Sequence, residues 1–299
     1  MAVLLAFSCL VFAALNDFVF KLFARKPRSR GIFIFVVGVV MTALQALFLR
    51  DWWGDSWGVT LFWGVLCGFC SVVGNIFLIE SMSRLSAGVC STVYRLNLAL
   101  VVPLAVILFD ESPLWYQWIG VVLALAAVVA FMPVGEKKPA GRKSDYAMLI
   151  LAMVLRAGMG IAYKYAFDYA GAAKSGVQIV NGLAWVVGGI VYYFLREKAA
   201  FRFRESLEIE VTDGGNSAEV RVAKVLGYGT FSGVLVTGII YFMAESLAVG
   251  DASIVLPIQQ MSFLATFFLG VAFLKEKVTL RKLAALACGV VALLLLSIK

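Results

Sequence analysis

Apolar runs broken by short polar stretches divide this 299-residue chain into ten segments, at 2–23, 32–49, 59–79, 87–108, 115–133, 146–166, 178–195, 226–244, 253–274 and 283–298. Each is uniformly apolar rather than two-faced, and a run of about 18 or more such residues is long enough to cross a bilayer as a helix. The pattern therefore predicts an all-α polytopic membrane protein of ten transmembrane helices. The first segment lacks the basic leader of a signal peptide, and Asn16-Asp17 falls where a cleavage site would stand, so it reads as the first span.

A second regularity lies on top of the first. Gly64-x-x-x-Gly68, Phe77, Glu80-Ser81, Ala87, Leu104, Val106, Glu111 and Ala127 return as Gly229-x-x-x-Gly233, Phe242, Glu245-Ser246, Ala252, Leu269, Val271, Glu276 and Ala292, always 165 residues later and without a gap. The chain is an internal duplication, with repeats at 1–134 and 135–299. Five spans per repeat is an odd number, so the two repeats enter the membrane in opposite senses. Phe20-Lys21 matches Tyr163-Lys164 at an offset of only 143, which places the extra residues of the second half in the connection at 196–225. There, alternating residues at 207–211 and 219–222 flank Asp213-Gly214-Gly215-Asn216, the signature of a β-hairpin-like insert.

Composition agrees with the membrane reading: 62% of residues are hydrophobic and 15% charged, against about 25% charged in soluble domains. The net charge of +8 does not point to nucleic acid, because no basic patch is interleaved with aromatics. Basic residues crowd alternate connections, among them Arg25, Lys26, Arg28, Lys137, Lys138, Arg196, Lys198, Lys275 and Lys277, while the other face holds only Arg50, Lys174 and Lys299. Cationic loops stay cytoplasmic, so both termini are expected on the non-cytoplasmic side of the inner membrane. With no histidine in the chain, Cys67-x-x-Cys70 has no partner for a metal site, and neither metal nor cofactor is expected. The same absence excludes zincin and Ser–His chemistry, and Asp17 alone cannot form an aspartyl dyad.

Charges inside spans carry the candidate chemistry. Arg95 lies about eight residues into the fourth span, roughly 12 Å deep at about 1.5 Å per residue, and Arg156 is similarly placed in the sixth. A cation there costs about 2.5–3.5 kcal/mol, so each should face the bundle interior and find a partner. Asp17 is the acid available. Lys21 and Lys164 occupy equivalent span ends, and Asn16, Asn75, Tyr94, Asn97, Asn181, Gln259 and Gln260 complete the polar set at depth. Pro257 is expected to break the ninth span just before Gln259-Gln260 and to free backbone carbonyls toward a cavity. Structural roles are expected for Gly64, Gly68, Gly229 and Gly233 as close helix contacts, and for Glu111 and Glu276 as caps on the helix that follows each.

Leu85-Ser86-Ala87 through Glu111 and Gly250-Asp251-Ala252-Ser253 through Glu276, each followed by a small-residue helix (Trp118-Ile119-Gly120, Cys288-Gly289-Val290), resemble the EamA branch of the drug/metabolite transporter superfamily. The resemblance implies metabolite transport by alternating access, with a cavity between the repeats. The insert at 196–225 and the Glu80/Glu245 pair depart from its compact pattern, as does the charge-based placing of the termini. Two cations against one acid at depth favour a small anionic or zwitterionic solute such as an amino acid or organic acid, with Arg95 as first anchor, Arg156 as second, and Asp17 as counter-ion or site of a coupling proton. A proton-coupled multidrug pump, and a receptor or scaffold without transport, are the alternatives. Partners are then the solute and the bilayer, with the chain a monomer or homodimer.

Overall fold

The computed structural model describes residues 1–23, 28–50, 52, 56–85, 87–130, 142–197, 201–204, 208–213, 216–274 and 278–298. The first half holds α1 (Ala2–Phe23), α2 (Arg30–Phe48), α3 (Trp57–Arg84), α4 (Ala87–Arg95), α5 (Leu98–Phe109) and α6 (Trp115–Ala130). The second holds α7 (Lys143–Asp168), α8 (Lys174–Tyr192), α9 (Val222–Ala248), α10 (Ala252–Gln260), α11 (Ser262–Leu274) and α12 (Leu280–Ser297). Strands β1 (Phe201–Arg204), β2 (Glu208–Asp213) and β3 (Asn216–Arg221) pair antiparallel in that order, with Asp213 opposite Asn216. Among the described residues, nine apolar segments are long enough to cross a bilayer, and α6 is a shorter apolar helix.

Packing runs between the halves: α1 lies on α9, α3 on α7, α2 on α8 and α6 on α12. The small-residue motifs mark close approaches between helices. A Cβ added at Gly64 would sit 2.6 Å from Val180 Cβ of α8, and one at Gly233 2.7 Å from Val40 Cβ of α2. Gly68 likewise faces Ala184, and Gly229 faces Val36. Both motifs therefore join helices within one chain. In lipid such association depends on close packing rather than hydrophobic exclusion, so the missing side chains are what permits it.

Three sequence expectations need correction. The fourth span is not continuous: α4 ends at Arg95 and α5 begins at Leu98. The ninth is broken as expected, but not at Pro257, which lies inside α10; the helix continues to Gln260 and breaks at Met261, where ψ is 6°. The breaks are repeat-equivalent (95 and 260 differ by 165), whereas the prolines are not: Pro103 corresponds to Phe268, and Pro257 to Thr92. Neither proline stands where these helices stop. Third, α3 and α9 outrun their predicted limits, because the polar residues of their last turns are satisfied by α8: Tyr192 donates to Glu80, and Lys174 donates to Glu245 at 3.0 and 3.1 Å.

Caps also cross between the halves. Asp110 adopts φ 55°, a left-handed turn that short polar residues tolerate, and ends α5. Glu111 then accepts the backbone N–H groups of Ala252 and Ser253, both at 2.8 Å. It caps α10 of the other half rather than the helix that follows it, as sequence had suggested. A carboxylate at a helix N-terminus meets both free donors and the positive end of the dipole. Glu276 lies outside the described residues. At the far end of α8, Glu197 accepts from Ser29 Oγ at 2.7 Å and from the N–H groups of Arg30 and Gly31, capping α2 in the same manner.

Candidate functional site

The two helix breaks meet mid-bundle, and each is held by its own polar residue. At the first, Asn97 Nδ2 donates to the Tyr94 carbonyl at 2.7 Å, and Leu96 N–H is shared between the carbonyls of Thr92 and Val93. At the second, Met261 N–H donates to the Ile258 carbonyl at 3.1 Å, and Thr266 Oγ1 donates to the Ser262 carbonyl at 3.0 Å. The offset of 165 pairs Arg95 with Gln260 and Asn97 with Ser262. The backbone is repeated; the chemistry is not.

Arg95 points from α4 to α1. Its Nη2 forms an ion pair with Asp17 Oδ2 and also donates to Ser262 Oγ at 3.3 Å. The same Asp17 oxygen accepts from Ser262 Oγ at 3.3 Å and from Thr266 Oγ1 at 3.5 Å. The guanidinium also stands 5.5 Å from the Phe263 ring centre. Arg95 is thus a neutralised, multiply bonded cation. Asp17 is its counter-ion, one of the two arginine partners considered from sequence, and keeps 34% of its side chain exposed.

Arg156 has a different environment. It lines a narrow cavity between α5, α7, α9 and α10, together with Asn97, Val101, Gly160, Leu256 and Gln260. The cavity has room for about one water molecule. Its side-chain contact is Nη1 to Met159 Sδ at 3.8 Å, a weak acceptor. Cys9, Tyr94 and Tyr163 lie within electrostatic reach, and among the described residues no carboxylate comes within ion-pair distance. Asn97 and Gln260 line the cavity, and Arg95 and Ser262 of the ion-pair cluster lie two residues from them, so the ion pair and the cavity are neighbours.

The remaining predicted residues disperse. Gln260 lines the cavity and is 8% exposed. Gln259 turns instead to α9, where Nε2 donates to Ser246 Oγ at 2.9 Å. Asn16 accepts from Ser232 at 2.6 Å, joining α1 to α9. Asn181 donates to Tyr163 Oη at 2.7 Å, joining α8 to α7, while Asn75 bonds to the Ser71 carbonyl of its own helix. Lys164 is buried, donates to the carbonyls of Leu247 and Gly250, and pairs with Asp168 at 2.6 Å, closing the end of α9. The Lys21 side chain lies outside the described residues. Sequence reading missed Ser262, Thr266 and Met159. Ser262 had a signal, as the repeat-mate of Asn97; the other two are ordinary core residue types.

Both ends of the bundle are tied. Lys174–Glu245 closes one face, and on the opposite face Arg84 bridges Asp145 at 2.8 Å and Glu80 at 3.9 Å.

A membrane bundle broken twice at its centre, around buried polar residues, has the architecture of a solute transporter. The sequence matches the EamA-like transporter family over residues 1–132 and 143–298, nearly the whole chain, and the protein belongs to that family within the drug/metabolite transporter superfamily. None of the curated proteins matches it. Among solved structures, one crystal structure described only as that of a protein superposes with a TM-score of 0.75, covering 99% of this chain and 96% of its own at 13% identity, which carries the fold alone.

Proposed function

We propose that this protein is a secondary transporter that carries a small anionic or zwitterionic metabolite, such as an amino acid or organic acid, across the cytoplasmic membrane by alternating access. The observation that carries this reading is Arg156, a cavity-lining cation with no carboxylate partner among the described residues. A part-buried charge at membrane depth that no described carboxylate offsets is costly, and an anionic solute supplies the missing counter-charge. Arginine suits the task, since its planar fork can hold a carboxylate through two parallel bonds. Geometry reverses the order of anchors: Arg156 comes first, and Arg95, already committed to Asp17, second.

Alternating access is supported by the inverted repeats we infer. Helix breaks at equivalent positions, and partners exchanged as α1 with α9 and α3 with α7, fit two halves related by a two-fold axis in the membrane plane. We read 1–134 and 135–299 as those halves, and 196–225 as an extramembrane insert carrying the strands β1 to β3. The chain works as a monomer or homodimer with both termini non-cytoplasmic. A cysteine at Ser217 in a cysteine-free background should then resist an impermeant maleimide in intact cells; ready labelling would reverse the orientation.

The transport reading is tested by solute counterflow in proteoliposomes. Arg156→Gln should abolish anion flux while the protein still runs as a monodisperse peak in detergent. One observation favours the alternative of a proton-coupled pump for cations: Asp17 is the partly exposed acid at depth. Efflux of a lipophilic cation that depends on Asp17 and survives Arg156→Gln would decide for that alternative.

A further inference from the structure

We infer that the solute is a monocarboxylate with an apolar body and no ammonium group. The inference rests on the transporter reading above and narrows its substrate class. It begins with the charges that share the centre of the bundle. Arg95 and Asp17 cancel in their ion pair, and Arg156 is left, so the cluster carries one positive charge. A monoanion brings that sum to zero. A dicarboxylate overshoots to a net negative charge. A zwitterion leaves the sum unchanged, and its ammonium has no unspent acid to meet. Asp17 is engaged by Arg95, Ser262 and Thr266. Around Arg156 the polar groups are the neutral amides of Asn97 and Gln260 and the Met159 sulfur, with no carboxylate among the described residues. At low dielectric, an ammonium held near Arg156 meets a like charge that no nearby acid offsets.

The cavity also presents both polar and apolar groups. Gln260 uses neither end of its side-chain amide in a hydrogen bond among the described residues, although it is 8% exposed. Buried amides are normally paired, so an unspent one beside an unspent guanidinium marks a place for a ligand's oxygen atoms. The apolar wall is made of Val101, Met159, Met243 and Leu256. Gly160 keeps that wall close, because a Cβ there would lie 2.8 Å from Leu256 Cδ1. Methionines adapt to irregular shapes, which suits a wall that must open from room for one water to room for a hydrocarbon body. One carboxylate against Arg156 and Gln260, and an apolar tail against Leu256 and the methionines, match the charged and apolar groups the cavity presents.

The experiment compares three probes in proteoliposomes of the full chain: 4-methyl-2-oxopentanoate, leucine and 2-oxoglutarate. The first two share a carbon skeleton and differ in the ammonium; the third adds a second carboxylate. The monocarboxylate should be taken up at least tenfold faster than either of the others, with a loss of about a hundredfold in Arg156→Gln and a partial loss in Arg156→Lys, which keeps the charge without the fork. If Arg156→Gln does not fold, Arg156→Lys and thermal stabilisation of the wild-type protein by each probe carry the comparison. Leucine or 2-oxoglutarate moving as fast as the monocarboxylate, in an Arg156-dependent way, overturns this inference and leaves the anion reading standing. Neither flux nor stabilisation by any of the three, with transport of tetraphenylphosphonium instead, overturns both.

Discussion

The two broken helices occupy equivalent positions and do opposite things. In the first half the break carries Arg95, whose charge is matched by Asp17 and braced by Ser262 and Thr266 from the other half. In the second half the equivalent position is Gln260, and the charge beside it is Arg156, which nothing described neutralises. Duplication set the backbone, since breaks fall 165 residues apart regardless of where the prolines lie. Divergence set the electrostatics. One break is a closed structural joint, and the other is left with capacity to bind. An arginine at depth is therefore not a site by virtue of its depth; what distinguishes the two is whether the charge is already spent.

The largest expected effect tests the symmetric part. Gly68→Leu and Gly233→Leu should damage folding equally, each by about 3 kcal/mol or more, because a leucine must occupy space filled by Ala184 or Val40. Expression and thermal stability in detergent measure it. Normal folding of both variants would mean that the helix contacts are not tight.

The next largest effect tests the asymmetry. Arg156→Gln should lower transport by about a hundredfold, equivalent to about 2.7 kcal/mol, with stability unchanged or improved, since it removes a part-buried cation that no described carboxylate pairs. Asp17→Asn should do the reverse and lower stability by about 1–3 kcal/mol by leaving Arg95 unpaired, with Asp17's partial exposure keeping the loss below that of a fully buried pair. Adding Arg95→Gln to Asp17→Asn should recover part of that loss. A double-mutant cycle on the melting curves reads the coupling, and an additive result would mean that the pair is not a unit.

Smaller effects sharpen the picture at the periphery. Glu111→Gln keeps the shape of the α10 cap and loses its charge, which should cost about 1 kcal/mol. Equal stability of the variant across a thermal scan would remove the carboxylate from that role. Smallest of all, Glu245→Gln breaks the part-exposed pair with Lys174 and should change stability by about 0.5 kcal/mol or less, with the difference fading as salt is raised. A salt-independent loss of several times that size would mark this pair as buried in function.

The sequence by itself determined what is local or repeated. Hydropathy located the apolar segments, because each must satisfy its backbone internally and present apolar side chains to lipid whatever its neighbours do. The offset of 165 exposed the duplication, and Gly64, Gly68, Gly229 and Gly233 announced close helix contacts without naming the partners. The intramembrane charges marked the region where the chemistry lies. Tertiary structure alone decided which of those charges are spent. Whether Asp17 serves Arg95 or Arg156 depends on the rotation and depth of α1 against α4 and α7, and no periodicity within one helix encodes a rotation between two. The same holds for Glu111, which is adjacent in sequence to one helix and caps another 141 residues away. It holds too for the breaks at Leu96–Asn97 and Met261, neither of which falls at the proline signal of Pro257. Long-range partners are chosen by geometry that many helices set jointly, and that choice makes Arg95 a joint and Arg156 the candidate site.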